Sequence, residues 1–137
     1  MIKSLQKEGM GVSFAAMTNN YRIYDFNSLL VIESLVEKID FFEISDSSII
    51  LREVMEKREF PSLIFDFTRV VAIDSSAFGF LLETRNEIRK YGRDLAIVCQ
   101  DRDVLHVMGM LKVKQVIPVF QTIDAAASYL TGIKSDS

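Results

Sequence analysis

The chain has 137 residues, of which 49% are hydrophobic and 26% are charged, and its net charge is -3. This length predicts one domain, and this composition supports a buried core and argues against overall disorder. The slightly acidic balance gives no reason to expect direct nucleic-acid binding, which depends on a basic surface. A single cysteine, Cys99, excludes an internal disulfide and therefore a secreted disulfide scaffold.

The sequence shows no signal for the membrane. No stretch approaches the roughly 20 consecutive apolar residues that a spanning helix needs. The first eight residues, Met1–Glu8, lack the continuous apolar segment of a signal peptide. We therefore expect a cytoplasmic protein without membrane insertion.

The first part of the chain predicts antiparallel strands. Val12–Met17, Tyr21–Phe26 and Leu29–Leu35 are apolar or rich in aromatic residues, as strands are. Polar segments at Thr18–Asn20 and Asn27-Ser28 separate them, and Asn tolerates turn conformations. The opening of the fold is thus expected to be antiparallel.

A helix is expected after these strands. Ser45 and Asp46 offer an N-cap, and Pro61 ends the segment because the residue before a proline favours extended geometry. The apolar positions that recur at helical spacing are Ile50, Leu51, Val54 and Met55.

From residue 62 onward, predicted strands alternate with predicted helices. The strands are Ser62–Thr68, Leu95–Cys99 and Val116–Phe120, and the apolar character resumes at Val70–Ile73. The helices are Ser75–Tyr91, Asp101–Met110 and a last one that Thr122 caps and that runs to Leu130, with Gly92 and Gly132 at left-handed C-terminal positions. Parallel strands need such crossovers, so the expected fold is α/β, with a mixed β-sheet, antiparallel N-terminal strands and about four α-helices.

The residue types of common catalytic and metal sites are sparse. The one histidine, His106, lies in a predicted helix, and Cys99 ends a predicted buried strand. No glycine-rich phosphate loop is present, and no Gly-x-Ser-x-Gly elbow supports a catalytic serine. We therefore expect no enzyme, no metal and no cofactor.

The turn Asp74-Ser75-Ser76 is the most informative segment, because an apolar strand ends there and a helix begins at once. Asp and Ser are preferred N-cap residues, so the segment has a sufficient structural explanation. The same place is also suited to a switch. A phosphoserine adds about -1.5 to -2 charge, which a helix N-terminus tolerates without loss of the fold. Composition alone leaves both interpretations open.

This segment resembles the STAS family, whose best-known members are the anti-anti-sigma factors. Asp66-Phe67-Thr68 stands where the family has an Asp-Leu-Ser-like strand end. Asp74–Gly79 stands where Asp-Ser-Ser/Thr-Gly-Leu-Gly opens a helix. Further resemblances follow in the same order at Tyr91–Val98, Val104–Leu111 and Ala125–Ala127. The resemblance covers about residues 29–130 and implies one STAS-like domain over residues 1–137, with residues 1–20 as an N-terminal extension of unclear role.

The resemblance implies an anti-sigma factor antagonist. Its phosphorylated residue is Ser75, with Ser76 as the alternative. The resemblance further implies that the unphosphorylated protein binds an anti-sigma serine kinase and so releases a sigma factor, that the kinase phosphorylates it with ATP, and that a phosphatase resets it. The implied partner-binding residues are Asp74, Ser75, Ser76 and Phe78. Asp40 matches an acidic position that faces the kinase, or is a solvated loop carboxylate.

Two departures and two alternatives accompany this interpretation. Ala77 replaces the usual glycine, which is mild because alanine is the better helix former by ~1 kcal/mol. The early glycine of the family is missing, and residues 36–40 stand there instead. One alternative is a STAS interaction subunit that is not phosphorylated, either a stress-signalling scaffold or a subunit associated with an ABC transporter. The other is a small esterase using Ser75, which the lack of an obvious His partner opposes.

Overall fold

The computed structural model of the protein describes residues 12–132, so the expectation for residues 1–11 lies outside the described part. The described strands are β1 (Val12–Met17), β2 (Tyr21–Phe26), β3 (Leu29–Ser34), β4 (Lys38–Ile39), β5 (Leu63–Asp66), β6 (Ala72–Ile73), β7 (Leu95–Val98) and β8 (Val119–Phe120). The described α-helices are α1 (Phe41–Lys57), α2 (Ser75–Arg89), α3 (Arg102–Met110) and α4 (Ile123–Thr131). A short 3₁₀ turn, Val113–Gln115, precedes β8.

Two sheets organise these elements. The larger has the order β1-β2-β3-β5-β7-β8, in which β1, β2 and β3 pair antiparallel and the remaining neighbours pair parallel. The smaller is a parallel pair of β4 and β6. The expected α/β fold, with a mixed sheet, antiparallel N-terminal strands and four helices, is confirmed.

The core is fixed by the burial of the central strands. Every residue of β5 and β7 is buried, as in parallel strands that are covered on both faces. Leu63 and Phe65 of β5 belong to the cluster that α1, α2 and α3 complete, whereas Ile64 belongs to the cluster with Ala126 and Ala127 of α4. Three helices therefore cover one face of the sheet and α4 covers the other.

Several local predictions are confirmed. The Thr122 hydroxyl accepts a hydrogen bond from the Ala125 N–H at 3.1 Å and caps α4. Gly92 and Gly132 have φ angles of 75° and 74°, which glycine adopts without strain. Gly132 is the C-cap of α4, whereas Gly92 lies two residues beyond the C-cap of α2. Cys99 is buried, as predicted.

Two boundaries differ most from the prediction. Helix α1 begins at Phe41, not after Ser45 and Asp46, because Asp40 directly follows the paired strand β4 and is itself a residue type that favours helix starts. The strand expected over Val116–Phe120 is reduced to Val119–Phe120, because the 3₁₀ turn extends to its C-cap at Val116.

Replacement of a core leucine should show how much α2 depends on its buried face. Leu81→Ala leaves a cavity at a fully buried position and is expected to lower the free energy of unfolding by about 2–5 kcal/mol in urea denaturation. Glu83→Ala changes an exposed residue two positions away and should shift it by less than about 0.5 kcal/mol. Equal effects of the two substitutions would contradict the described packing.

Candidate functional site

The candidate site is the turn that joins β6 to α2. Asp74 has extended backbone geometry and is the N-cap of α2. Its Oδ1 atom accepts a hydrogen bond from the Ser76 N–H at 2.6 Å and another from the Ser76 hydroxyl. Its carbonyl oxygen accepts from the Ala77 N–H at 3.0 Å. The capping role predicted for this segment is confirmed and belongs to Asp74.

These hydrogen bonds set the charge of the turn. Donation from the hydroxyl and then the N–H of Ser76 holds the pKa of Asp74 below its ordinary value. The carboxylate is therefore ionised at neutral pH, at the positive end of α2 where a negative charge is favoured. Asp74 is exposed, so this charge is part of the surface that a partner meets.

The two serines of the turn differ in their hydrogen bonding. The Ser76 hydroxyl donates to Asp74. Ser75 is the first residue of α2, is exposed, and its hydroxyl has no hydrogen-bond partner within residues 12–132. Of the two hydroxyls, that of Ser75 is therefore the one that is open to a reaction from solvent.

Among the described residues, the same local motif is also present at the end of β5. Asp66 Oδ1 accepts from the Thr68 N–H at 3.0 Å and from the Thr68 hydroxyl at 2.5 Å, which repeats the geometry of Asp74 and Ser76. The middle residue there is Phe67, which is fully buried. The turn thus needs only its first and third side chains. Ser75, the middle residue of the second copy, is not required for local structure.

Strands β4 and β6 bring Asp40 beside this turn. Ile39 pairs with Ile73 in parallel register, and the Asp74 N–H donates to the Ile39 carbonyl at 3.0 Å. Asp40 and Asp74 therefore follow paired residues, are both exposed, and precede α1 and α2. The N-termini of the two helices lie next to each other. The kinase-facing role of Asp40 stays a prediction.

Phe78 requires a correction. We expected it on the partner-binding surface, but its side chain is only 3% exposed and packs in the core on the α2 side of the sheet. Spacing explains this, since Phe78, Leu81 and Ile88 recur at helical spacing along the buried face of α2. Ala77, where the family has glycine, is fully buried as well.

Gly79, the last residue of the motif, is a surface feature that was not among the predicted site residues. It lies four residues after Ser75, on the same face of α2, and is exposed. A Cβ added there would meet nothing within 4 Å, so the fold does not require glycine at this position. Glycine inside a helix costs about 0.5–1 kcal/mol relative to alanine, which makes Gly79 a candidate for close approach by a partner. The sequence could have indicated this position, because glycine is unfavourable in the middle of a predicted helix.

The side chains of metal sites and of histidine or cysteine catalysis do not cluster at this turn among the described residues. Within the described part of the chain, no three His, Cys, Asp or Glu side chains are grouped as a metal site would require. His106 is exposed on α3, and burial raises the pKa of the Cys99 thiol. In the same described part, no helix is both long and apolar enough to cross a membrane.

The comparisons with known proteins agree with the fold. The model of the STAS domain family matches residues 21–126. The chain belongs to the STAS family. A search of curated proteins finds no match.

Three solved structures have a similar fold. An anti-sigma factor antagonist from Mycobacterium paratuberculosis is 14% identical with a TM-score of 0.64, covering 92% of this chain and 99% of that one. The antagonist SpoIIAA in its unphosphorylated form is 16% identical with a TM-score of 0.63, covering 90% and 99%. The phosphorylated form of SpoIIAA, the Bacillus cell fate determinant, is 14% identical with a TM-score of 0.56, covering 86% and 97%. At these identities the similarity shows the fold.

The cap at Asp74 predicts a pH dependence of stability. A carboxylate whose pKa is lowered in the folded state stabilises the protein fully above its unfolded pKa of about 3.9, and this contribution is lost as the pH falls through the folded value. Urea unfolding from about pH 7 to pH 2 should therefore show wild type more stable than Asp74→Asn near neutrality, with the difference vanishing in acid. Ser76→Ala removes the hydroxyl donor and should reduce this dependence. Identical pH profiles of wild type and Asp74→Asn would contradict it.

Proposed function

We propose that the protein is an anti-sigma factor antagonist that works by phosphorylation-controlled partner switching. The unphosphorylated form binds an anti-sigma serine kinase and so releases a sigma factor. Phosphorylation at Ser75 blocks this binding, and a phosphatase restores it. The observation that carries the proposal is that the Ser75 hydroxyl is exposed and unpartnered within residues 12–132, while Asp74 and Ser76 bind each other.

The covalent step needs only groups that a kinase and ATP supply. The Ser75 oxygen forms a bond to the γ-phosphorus, the bond between that phosphorus and the bridging oxygen breaks, and ADP leaves. The hydroxyl proton passes to a base of the kinase. We place this exchange in the cytoplasm, where ATP is available.

The turn is suited to accept the phosphate without unfolding. Neither hydrogen bond to the Asp74 carboxylate involves Ser75, so the cap of α2 survives the modification. The added charge of about -1.5 to -2 lies at the positive end of the helix, which favours it. Asp74 and Asp40 supply negative charge nearby, so the modified surface becomes strongly anionic. The switch therefore changes what a partner meets and leaves the domain folded.

Phosphorylation of site variants tests the acceptor. Incubation of the full chain with its cognate kinase and ATP should add one phosphate, located at Ser75 by peptide mass spectrometry. Ser75→Ala should lose it, and Ser76→Ala should keep it because its Ser75 hydroxyl is unchanged. A phosphate that persists in Ser75→Ala would contradict the assignment. Stable binding to a partner ATPase, no phosphate, and no effect of Ser75→Asp would instead match the interaction subunit that is not phosphorylated.

Gly79→Ala should separate stability from binding. Alanine fits without a clash and should raise the free energy of unfolding by about 0.5–1 kcal/mol. The added methyl group lies one helical turn from Ser75, so the affinity of the unphosphorylated protein for its kinase partner should fall at least tenfold in calorimetric titration. Asn86→Ala, another exposed change farther along α2, is the matched control and should leave binding unchanged. Unchanged binding by Gly79→Ala would show that the partner does not approach this face closely.

A further inference from the structure

A polar cleft of about 550 Å³ lies at the opposite end of the sheet from Ser75. It is formed where the β2–β3 turn, the segments that lead into β5 and β7, and the end of α4 meet. We call it the arginine cleft, and its polar lining consists of Asp25, Ser28, Arg58, Ser62, Arg93 and Thr131. Its volume is within the range of small-molecule sites.

Both arginines are held in place and keep free donors. The Nε–H of Arg93 donates to the Phe60 carbonyl at 3.2 Å, and its two terminal nitrogens have no partner within residues 12–132. Arg58 donates from Nε and Nη2 to the two carboxylate oxygens of Asp25 at 2.5 and 2.8 Å, which leaves Nη1. This ion pair also neutralises Asp25, the carboxylate that lines the cleft.

Two hydroxyls add to these donors. Ser62 Oγ accepts from the Asp94 N–H at 3.0 Å, so its own proton remains to be donated. Ser28 is exposed, and its hydroxyl has no partner in the described part of the chain. The cleft thus combines free cationic and hydroxyl donors with a carboxylate that is already paired, which is the donor set of a phosphate site.

The backbone beside the cleft is strained. Among the described residues, five that are not glycine have positive φ angles, and four of them lie in the two loops that border the cleft. They are Asn27 (51°), Ser28 (67°), Glu59 (58°) and Phe60 (55°). Such conformations are found at ligand sites and, as at Asn27 and Ser28 between β2 and β3, in two-residue hairpin turns. The strain places Ser28 and the Phe60 carbonyl that holds Arg93.

We propose that the arginine cleft binds a small phosphate-class anion, either inorganic phosphate or a phosphate monoester, through Arg93, with donors from Arg58, Ser28 and Ser62. Thr131 lies in the last turn of α4, whose carbonyl end disfavours anions. The affinity is therefore expected to be modest, with a Kd on the order of 1 mM.

Titration of the isotopically labelled full chain tests the proposal. At constant ionic strength, inorganic phosphate should cause saturable amide shifts at Ser28, Ser62 and Arg93, and chloride should not. Arg93→Gln should weaken binding at least tenfold. Arg102→Gln makes the same charge change at the start of α3, at the other end of the sheet, and should leave the affinity unchanged. Arg93→Lys keeps the positive charge but lacks the planar guanidinium group, so it should weaken binding several-fold. This variant still tests the proposal if Arg93→Gln does not fold.

A second titration distinguishes the sources of the anion. Glycerol 3-phosphate that binds more tightly than inorganic phosphate indicates a phosphate monoester, whereas equal affinities indicate free phosphate. Absence of saturable shifts, equal shifts with chloride, or binding retained in both Arg93 variants would overturn the proposal.

Discussion

The structure depends on the burial of β5 and β7 on both faces. Every residue of Leu63–Asp66 and Leu95–Val98 is buried, so helices must cover the sheet on each side. Each crossover helix leaves the C-terminal end of one strand and returns to the N-terminal end of the next. The sheet therefore has one end where helices begin, near Asp74, and another where they finish, near Arg58. Helix starts favour negative charge and helix ends favour positive charge. This agrees with the carboxylates beside Ser75 and with the arginines of the arginine cleft.

Local chemistry alone does not distinguish a structural turn from a switch. Asp66 and Asp74 each accept hydrogen bonds from the N–H and the hydroxyl of the residue two positions later. The difference lies in the middle residue, since Phe67 fills the core and Ser75 faces solvent. One turn thus ends a buried strand, while the other presents a hydroxyl that the fold does not use.

Much of the fold could be predicted because its signals are local. The cap at Thr122, the left-handed Gly132 and the antiparallel opening all follow from residues close in sequence. The pairing of β4 with β6 could not be predicted, because the paired residues lie more than thirty positions apart and no apolar run marks Lys38–Ile39 as a strand. That pairing places Asp40 beside Asp74 and starts α1 early. The arginine cleft was missed for the same reason, since Arg58 and Asp25 are 33 residues apart.

A surface charge is enough for the proposed switch, without a change of fold. Every 1.4 kcal/mol of binding free energy is a factor of ten in affinity. A charge left buried and unpaired in an interface costs about 2–5 kcal/mol, so a phosphate at Ser75 would weaken a complex that covers it by more than tenfold. The Asp74 cap is independent of Ser75, so a domain phosphorylated at Ser75 would keep this cap while it lost that partner. In the proposed switch, Asp74 caps the helix and Ser75 accepts the phosphate, so removal of the phosphate by a phosphatase would restore the original surface on an unchanged scaffold.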